Sequence, residues 1–305
     1  DMRVEPDFLR ELVGPVVRKE CSASTGKMMS WDGKVLNSAG GGMNFHGIGI
    51  QRGYLEPPHP DYDKPMKTLF ACGGAMAIDA KVYADIGGFD DEFFAYYEDV
   101  DMGWRMWVLG HEVHYAPKAV CYHHHSSTSG RMPREMIRLL QVRNPVYACF
   151  KNYGDEAVGK VMPALLSLAV RRAFMASGLD PQDPSFRIEK AEGASAGAPQ
   201  GAVRRIIRRA REVATETVPV KRTGVADLYA LNDFLGRFDY WKKRRDAVQE
   251  RRQREDQEIF ALFRKPEWCI EAEPSYEALH EGSLDLYGVR DLFRGLTQTE
   301  PEPRG

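Results

Sequence analysis

An α/β fold is what this chain of 305 residues predicts, and three stretches carry the prediction. TLFACGGAMAID, Thr68 to Asp79, reads as a buried strand with two glycines inside it. From Asp99 to Gly110 the pattern turns helical, and Gly110 is a natural residue to follow a helix end. HEVHYAPKAVCYHHH, from His111 to His125, reads as two short strands around Pro117.

The flanking elements follow the same logic. Val4 to Val17 reads as a helix, with Pro6 suited to a first turn and Phe8, Leu9, Leu12 and Val13 forming an apolar face. WDGKV, Trp31 to Val35, carries the Asp-Gly signal of a hairpin tip. Gly40 to Gly53 is glycine-dense, with prolines after it, and reads as a long mobile loop. Ala80 to Ile86 reads as a short helix ended by Gly87 and Gly88. Arg134 to Tyr153 reads as a helix that Pro145 should kink or interrupt. The expected organisation is a first unit over 1–155, a helical continuation over 156–178, a Pro/Gly/Ala/Ser-rich linker over 179–202, a charged helical region over 203–297 and a tail over 298–305.

Composition narrows the function classes. The net charge of −2 gives no overall field for nucleic acid. The best apolar run, VMPALLSLAV from Val161 to Val170, falls well short of the roughly 20 residues that span a bilayer. The five cysteines (Cys21, Cys72, Cys121, Cys149, Cys269) are scattered and never in a C-x-x-C pair. That argues against a disulfide framework or a cysteine zinc site and fits a reducing cytoplasm.

The chemistry-bearing stretch is FFAYYEDVDMGWRMWVLG, Phe93 to Gly110. Glu98, Asp99 and Asp101 fall within four positions. At a helix start they would sit near free N–H groups and the positive end of the dipole, with Asp101 and Arg105 paired four residues apart. Tyr96, Tyr97, Trp104 and Trp107 could instead wall the acids from water. Clustered carboxylates raise one another's pKa, which a general base uses near neutrality. The three histidines His123, His124 and His125 follow a strand. Adjacent strand residues alternate faces, so at most one, or His123 with His125, could serve one metal.

Together these residues resemble a known family. FACGGAMAIDAKVYADIGGFDDEFFAYYEDVDMGWRMWVLGHEVHYAPKAVCYHHHSS is similar to the C-terminal half of the catalytic domain of family-2 glycosyltransferases of the GT-A fold. The rhamnosyltransferase-like and galactofuranosyltransferase-like members are nearest. Their pattern is a small-residue strand, G-G-F-D-E-x-F-F, E-D-x-D-x-x-x-R, a glycine and P-x-A-x-x-x-H. Here FDDEFF carries one extra acid. The resemblance covers roughly Asp1 to Tyr153, and it implies that DMRVEPDFL opens on the last aspartate of the metal motif. The first part of the nucleotide-binding fold would then lie upstream of Asp1.

The resemblance implies the following roles. Asp1 and His123 would hold Mn²⁺ or Mg²⁺ at the donor diphosphate, while His124 and His125 have no counterpart. Gly73 and Gly74 would let the backbone approach the donor sugar. Asp99 would be the base, with Glu98 as the alternative in galactofuranosyltransferase-like members. Asp101, Trp104 and Arg105 would support the acceptor site. The implied activity is an inverting transfer from a UDP- or dTDP-sugar to a glycan or lipid-linked acceptor in cell-surface glycan synthesis. A second reading is a non-catalytic binding or assembly module. The basic run 241–254 reads either as a peripheral contact with the inner face of the plasma membrane or as a solvated helix with internal salt bridges.

Overall fold

The computed structural model describes residues 1–124, 132–179 and 220–296. The expected linker beyond residue 179, the start of the charged region, the tail and His125 lie outside the described residues.

A mixed sheet organises the first half. Its strands are β1 (Met2–Val4), β2 (Ala23–Ser30), β3 (Leu36–Ser38), β6 (Met66–Lys67), β7 (Met76–Ile78) and β8 (Val113–His123). They run in the order β1-β8-β2-β3, with β6 on β8 and β7 on β2. Only the central β2–β8 pair is parallel; the other pairings are antiparallel. A separate hairpin pairs β4 (Gly41–Met43) with β5 (Gly49–Gln51).

Helix α1 (Phe8–Val17) covers one face of the sheet through Phe8 and Leu12. The helices α2 (Ala80–Asp85) and α3 (Glu98–Val108) follow, then α4 (Arg134–Asn152) and α5 (Asp155–Ser177). The last described stretch is helical: α6 (Arg222–Gly236), α7 (Phe238–Gln249), α8 (Asp256–Phe260), α9 (Pro274–Leu286) and α10 (Val289–Leu292). No described helix is long and apolar enough to cross a membrane.

Four expectations change. Gly40 to Gly53 is no mobile loop: it forms the β4–β5 hairpin, and Met43 and Phe45 are fully buried. The Thr68–Asp79 strand breaks in the middle, so only Met76–Ile78 is extended and Gly73–Gly74 form a turn. His111 to His123 gives one strand, because Pro117 falls where the β2–β8 register slips: Gly26 pairs with Ala116 but Lys27 pairs with Val120. Proline lacks the N–H a ladder needs, and a bulge accommodates it. Helix α4 runs unbroken through Pro145.

The expected boundary near residue 155 has no counterpart in packing. One apolar cluster joins Ala23, Trp104, Tyr147, Leu165, Trp241 and Phe293. Part of the basic run is engaged inside this assembly, while Lys242, Lys243 and Arg251 are exposed. Arg244 pairs with Asp90 at 2.7 Å, Arg251 with Asp85 at 2.6 Å and Arg252 with Asp256 at 3.0 Å. Arg245, itself buried, donates to the carbonyls of Phe150 and Tyr153. Within the run itself Lys242 pairs with Asp246 at 2.6 Å, as the salt-bridge reading of 241–254 expects.

A buried polar network locks α3 to α4 and α7. The Lys151 ammonium lies 2.6 Å from Asp90 and 2.9 Å from Asp101. Arg105 donates to Asp101 at 3.0 Å and to the carbonyls of Ile86 and Gly88, and Asn152 donates to Asp101 at 2.9 Å. Burial works against ionised Asp90, but the charges of Lys151 and Arg244 overcome it and hold the carboxyl down at about 2. Removing one partner of a buried pair leaves the others uncompensated. Lys151→Met is therefore expected to cost about 3–5 kcal/mol, read as a lowered urea midpoint with an unchanged slope.

Candidate active site

The acids stand where the expected helix begins. Helix α3 starts at Glu98, with Glu98, Asp99 and Asp101 in its first turn. Its packing fixes their direction. Every residue from Val100 to Val108 is buried, and Gly103 lies against Leu69 and Phe70 so closely that a Cβ there would sit 2.4 Å from the Phe70 side chain. Trp107 also donates its ring N–H to the Thr68 carbonyl at 2.9 Å. The helix can present only its amino-terminal end to solvent.

The turn leading into α3 is held in rare backbone. Phe94, Tyr96 and Tyr97 have φ of 59°, 63° and 67°. Left-handed backbone at non-glycine residues costs on the order of 1–3 kcal/mol each and persists only where surroundings over-determine it. Tyr97 supplies no side-chain cap to the helix. Asn144 of α4, fully buried, donates its amide to the carbonyls of Phe93, Ala95 and Tyr96 at 2.9, 3.0 and 2.7 Å. The adjacent Arg143 donates to the Glu92 carbonyl at 2.7 Å. From the carboxy-terminal helices, Arg237 grips the Glu92 carboxylate at 2.7 and 2.9 Å.

The two half-buried acids at the helix head differ in environment. Asp99 accepts the Gly73 N–H at 3.1 Å through one oxygen and the Val100 N–H at 2.8 Å through the other. Burial raises its pKa, and these N–H groups oppose the rise. Glu98 has one buried carboxylate oxygen without a hydrogen-bond partner. Burial first, then the charge of Asp99, pushes it up to about 7. A carboxylate that titrates near neutrality can accept a proton and release it again.

The glycine turn connects these acids to the strand ends. Gly73 and Gly74 are exposed. Gly73 faces Asp99, and a Cβ on Gly74 would meet Met28 at 3.1 Å and Met2 at 3.5 Å. Met2 pairs with His123 across β1 and β8, and His124 donates its N–H to the Asp1 carbonyl. That pairing brings the Asp1 carboxylate within 3.7 Å of the His123 ring, both side chains partly open to solvent. Among the described residues no group of three or more His, Cys, Asp or Glu converges. One carboxylate and one imidazole fit a cation that completes its shell with water and oxygens of a bound molecule, as Mg²⁺ and Mn²⁺ do. His124 stands apart, edge-on to Trp31.

Three expected site residues sit behind the site rather than in it. Asp101, Trp104 and Arg105 are buried, Asp101 and Arg105 in the ionic network and Trp104 edge-to-face with Tyr153 and Phe263. The physical reason is helical geometry. Positions three to seven residues past Glu98 are already inside the packed part of α3, so they brace the helix from within the core. Trp107, expected to shield the acids, belongs to the core as well.

Sequence reasoning missed Asn144, Lys151 and Asn152. A signal was present: polar residues at i, i+7 and i+8 share the face of α4 that is otherwise buried. A polar group on such a face requires a partner.

Comparison with known proteins places the similarity in the same part of the chain. Residues 5–141 match the family described as glycosyltransferase like family 2. Two relatives, both named N-acetylglucosaminyl-diphospho-decaprenol L-rhamnosyltransferase and from two strains of Mycobacterium tuberculosis, are 36% identical over 79 residues. The match takes in 26% of this chain and 24% of each relative, so the chain spans about a quarter of the length of the curated relatives it matches. Among solved structures, GalNAc-T7 with UDP, GalNAc and Mn²⁺ covers 71% of this chain and 37% of its own at 13% identity, with a TM-score of 0.40. The matched segment takes in the glycine turn, the strained turn, the acids of α3 and His123, and over residues 5–141 the chain is similar to the family-2 glycosyltransferases.

Proposed function

We propose that the protein transfers a sugar from a nucleoside-diphosphate donor, UDP- or dTDP-linked, to a hydroxyl of a glycan or lipid-linked acceptor, with inversion at the anomeric carbon. The observation that carries this reading is the contact of the Asp99 carboxylate with the N–H of the exposed Gly73–Gly74 turn. It puts a carboxylate of raised pKa beside backbone that a ligand can approach closely.

In this reading Asp99 takes the acceptor hydroxyl proton as that oxygen forms its bond to the anomeric carbon. The bond from that carbon to the diphosphate oxygen breaks, and its electron pair leaves with the nucleoside diphosphate. Glu98 stands beside Asp99, whose charge adds to burial in raising the Glu98 carboxyl. A divalent cation held by Asp1 and His123 would supply neutralisation of the diphosphate. The strained turn and the buried face of α3 keep the acids fixed, so little reorganisation is required on binding.

Three outcomes follow. With donor, acceptor and Mn²⁺, Asp99→Asn should lower kcat by about 10²- to 10⁴-fold, as expected for loss of a general base, while Glu98→Gln should cost less than about tenfold. The reverse order would move the base to Glu98. Nucleotide binding without turnover in the wild type would favour a binding module. Chelation by EDTA should abolish transfer, and Asp1→Ala should raise the Mn²⁺ concentration needed for half activity.

Stability should depend on pH through Glu98. Its folded pKa lies above the ordinary value of 4.5, so its contribution is fully present below the unfolded pKa and is lost as pH rises through about 7. Glu98→Gln should therefore stabilise the protein by about 1–2 kcal/mol at about pH 8, allowing for solvent screening, and leave it near wild type at about pH 4. Paired urea titrations at the two pH values measure this.

A further inference from the structure

We propose that Asn144 is the positioning residue of this site. Its amide holds the Phe94–Tyr97 turn in left-handed backbone and so sets where Glu98 and Asp99 stand. The catalytic part of the inference rests on the glycosyl-transfer reading above; the positional part does not.

Local bonds support the turn only in part. None of Phe94, Tyr96 and Tyr97 is glycine, and all three have φ near 60°. The helix start lacks a side-chain cap. Local backbone bonds join Phe94 to the Asp91 carbonyl, Ala95 to the Phe93 carbonyl and Asp101 to the Tyr97 carbonyl, and among the described residues none of these bonds reaches the carbonyls of Ala95 and Tyr96. Asn144 addresses the turn from α4, 48 to 51 residues away in sequence, with one NH₂ group shared among three carbonyls. The Tyr96 carbonyl it binds most closely lies two residues before Glu98.

The amide is itself oriented. Its oxygen accepts from the Arg143 guanidinium at 3.1 Å, which leaves the NH₂ facing the turn. Arg143 in turn donates to the Glu92 carbonyl and lies over the Tyr147 ring at 5.1 Å. An aspartate at position 144 would have nearly the same shape but, when ionised, would lose the N–H donors and add a charge, so Asn144→Ala is compared beside it to separate the lost hydrogen bonds from that charge. A reacting group displaced by about 1 Å can lose on the order of 10² in rate.

The test uses the full chain. Asn144→Asp and Asn144→Ala are compared with wild type for kcat and donor KM, for backbone amide exchange by mass spectrometry, and for titration of the Glu98 carboxyl by NMR. We expect kcat to fall by about 10²-fold with donor KM changed less than about threefold. Exchange should rise over Ala95 to Asp99 while the interior of α4 stays protected. The Glu98 carboxyl should titrate closer to an ordinary glutamate as it gains water. Unchanged exchange at the turn together with an unchanged Glu98 titration would overturn the proposal, as would a uniform rise in exchange across the fold. If wild type transfers no sugar, the exchange and titration data still decide whether Asn144 positions the acids, and only the glycosyl-transfer reading fails.

Discussion

Asp101 is the point on which the architecture turns. It is buried, four residues from a buried arginine and one turn inside the helix that presents the acids. Its carboxylate is satisfied only because α4 delivers Lys151 and Asn152 to it. A charge in that position would be prohibitive without those partners. Helix α3 can therefore be seated only when α4 is seated, and α4 in turn shares Lys151 with Asp90, which reaches Arg244 of α7. The end of the sheet that carries the glycine turn and the carboxy-terminal helices are one cooperative assembly for this reason, whatever the composition suggests about a boundary between them.

The same dependence explains which features were legible in the sequence. Local rules identified α1 and α3, the hairpin tip at Trp31 to Val35 and the Asp101–Arg105 pair, because each is determined by residues within a few positions of one another. The strand expected around the glycines at 73 and 74 breaks into a turn there, where a Cβ on Gly74 would meet the Met28 side chain. Asp1 and His123 lie 122 residues apart and still meet, through the β1–β8 pairing. That meeting was legible only from family resemblance, since no local rule pairs them.

What could not be read was tertiary. Gly40 to Gly53 has the composition of a loop, yet the glycines allow a hairpin to pass tightly under Phe70 and beside Arg264, where side chains would not fit. Trp104 and Arg105 looked like site residues because they follow the acids closely in sequence. Helix rotation takes them to the core within one or two turns. The pattern on α4 signals that Asn144 needs a partner but does not say which, since all three carbonyls it serves belong to another part of the chain.

The bulge at Pro117 has a further consequence. Ala116 before it and Ala119 and Cys121 after it all lie in the cluster under α1, with Phe8 and Leu12. The slip of three residues against β2 hands the α1 face from even-numbered to odd-numbered positions. His123 owes its side of the sheet to that change of parity. The length of this one irregularity is thus not free to drift. Insertion or loss of a single residue between Ala116 and Val120 would leave every residue type intact and still turn the histidine away from Asp1. The spacing between Pro117 and His123 is a geometric specification as much as a sequence motif.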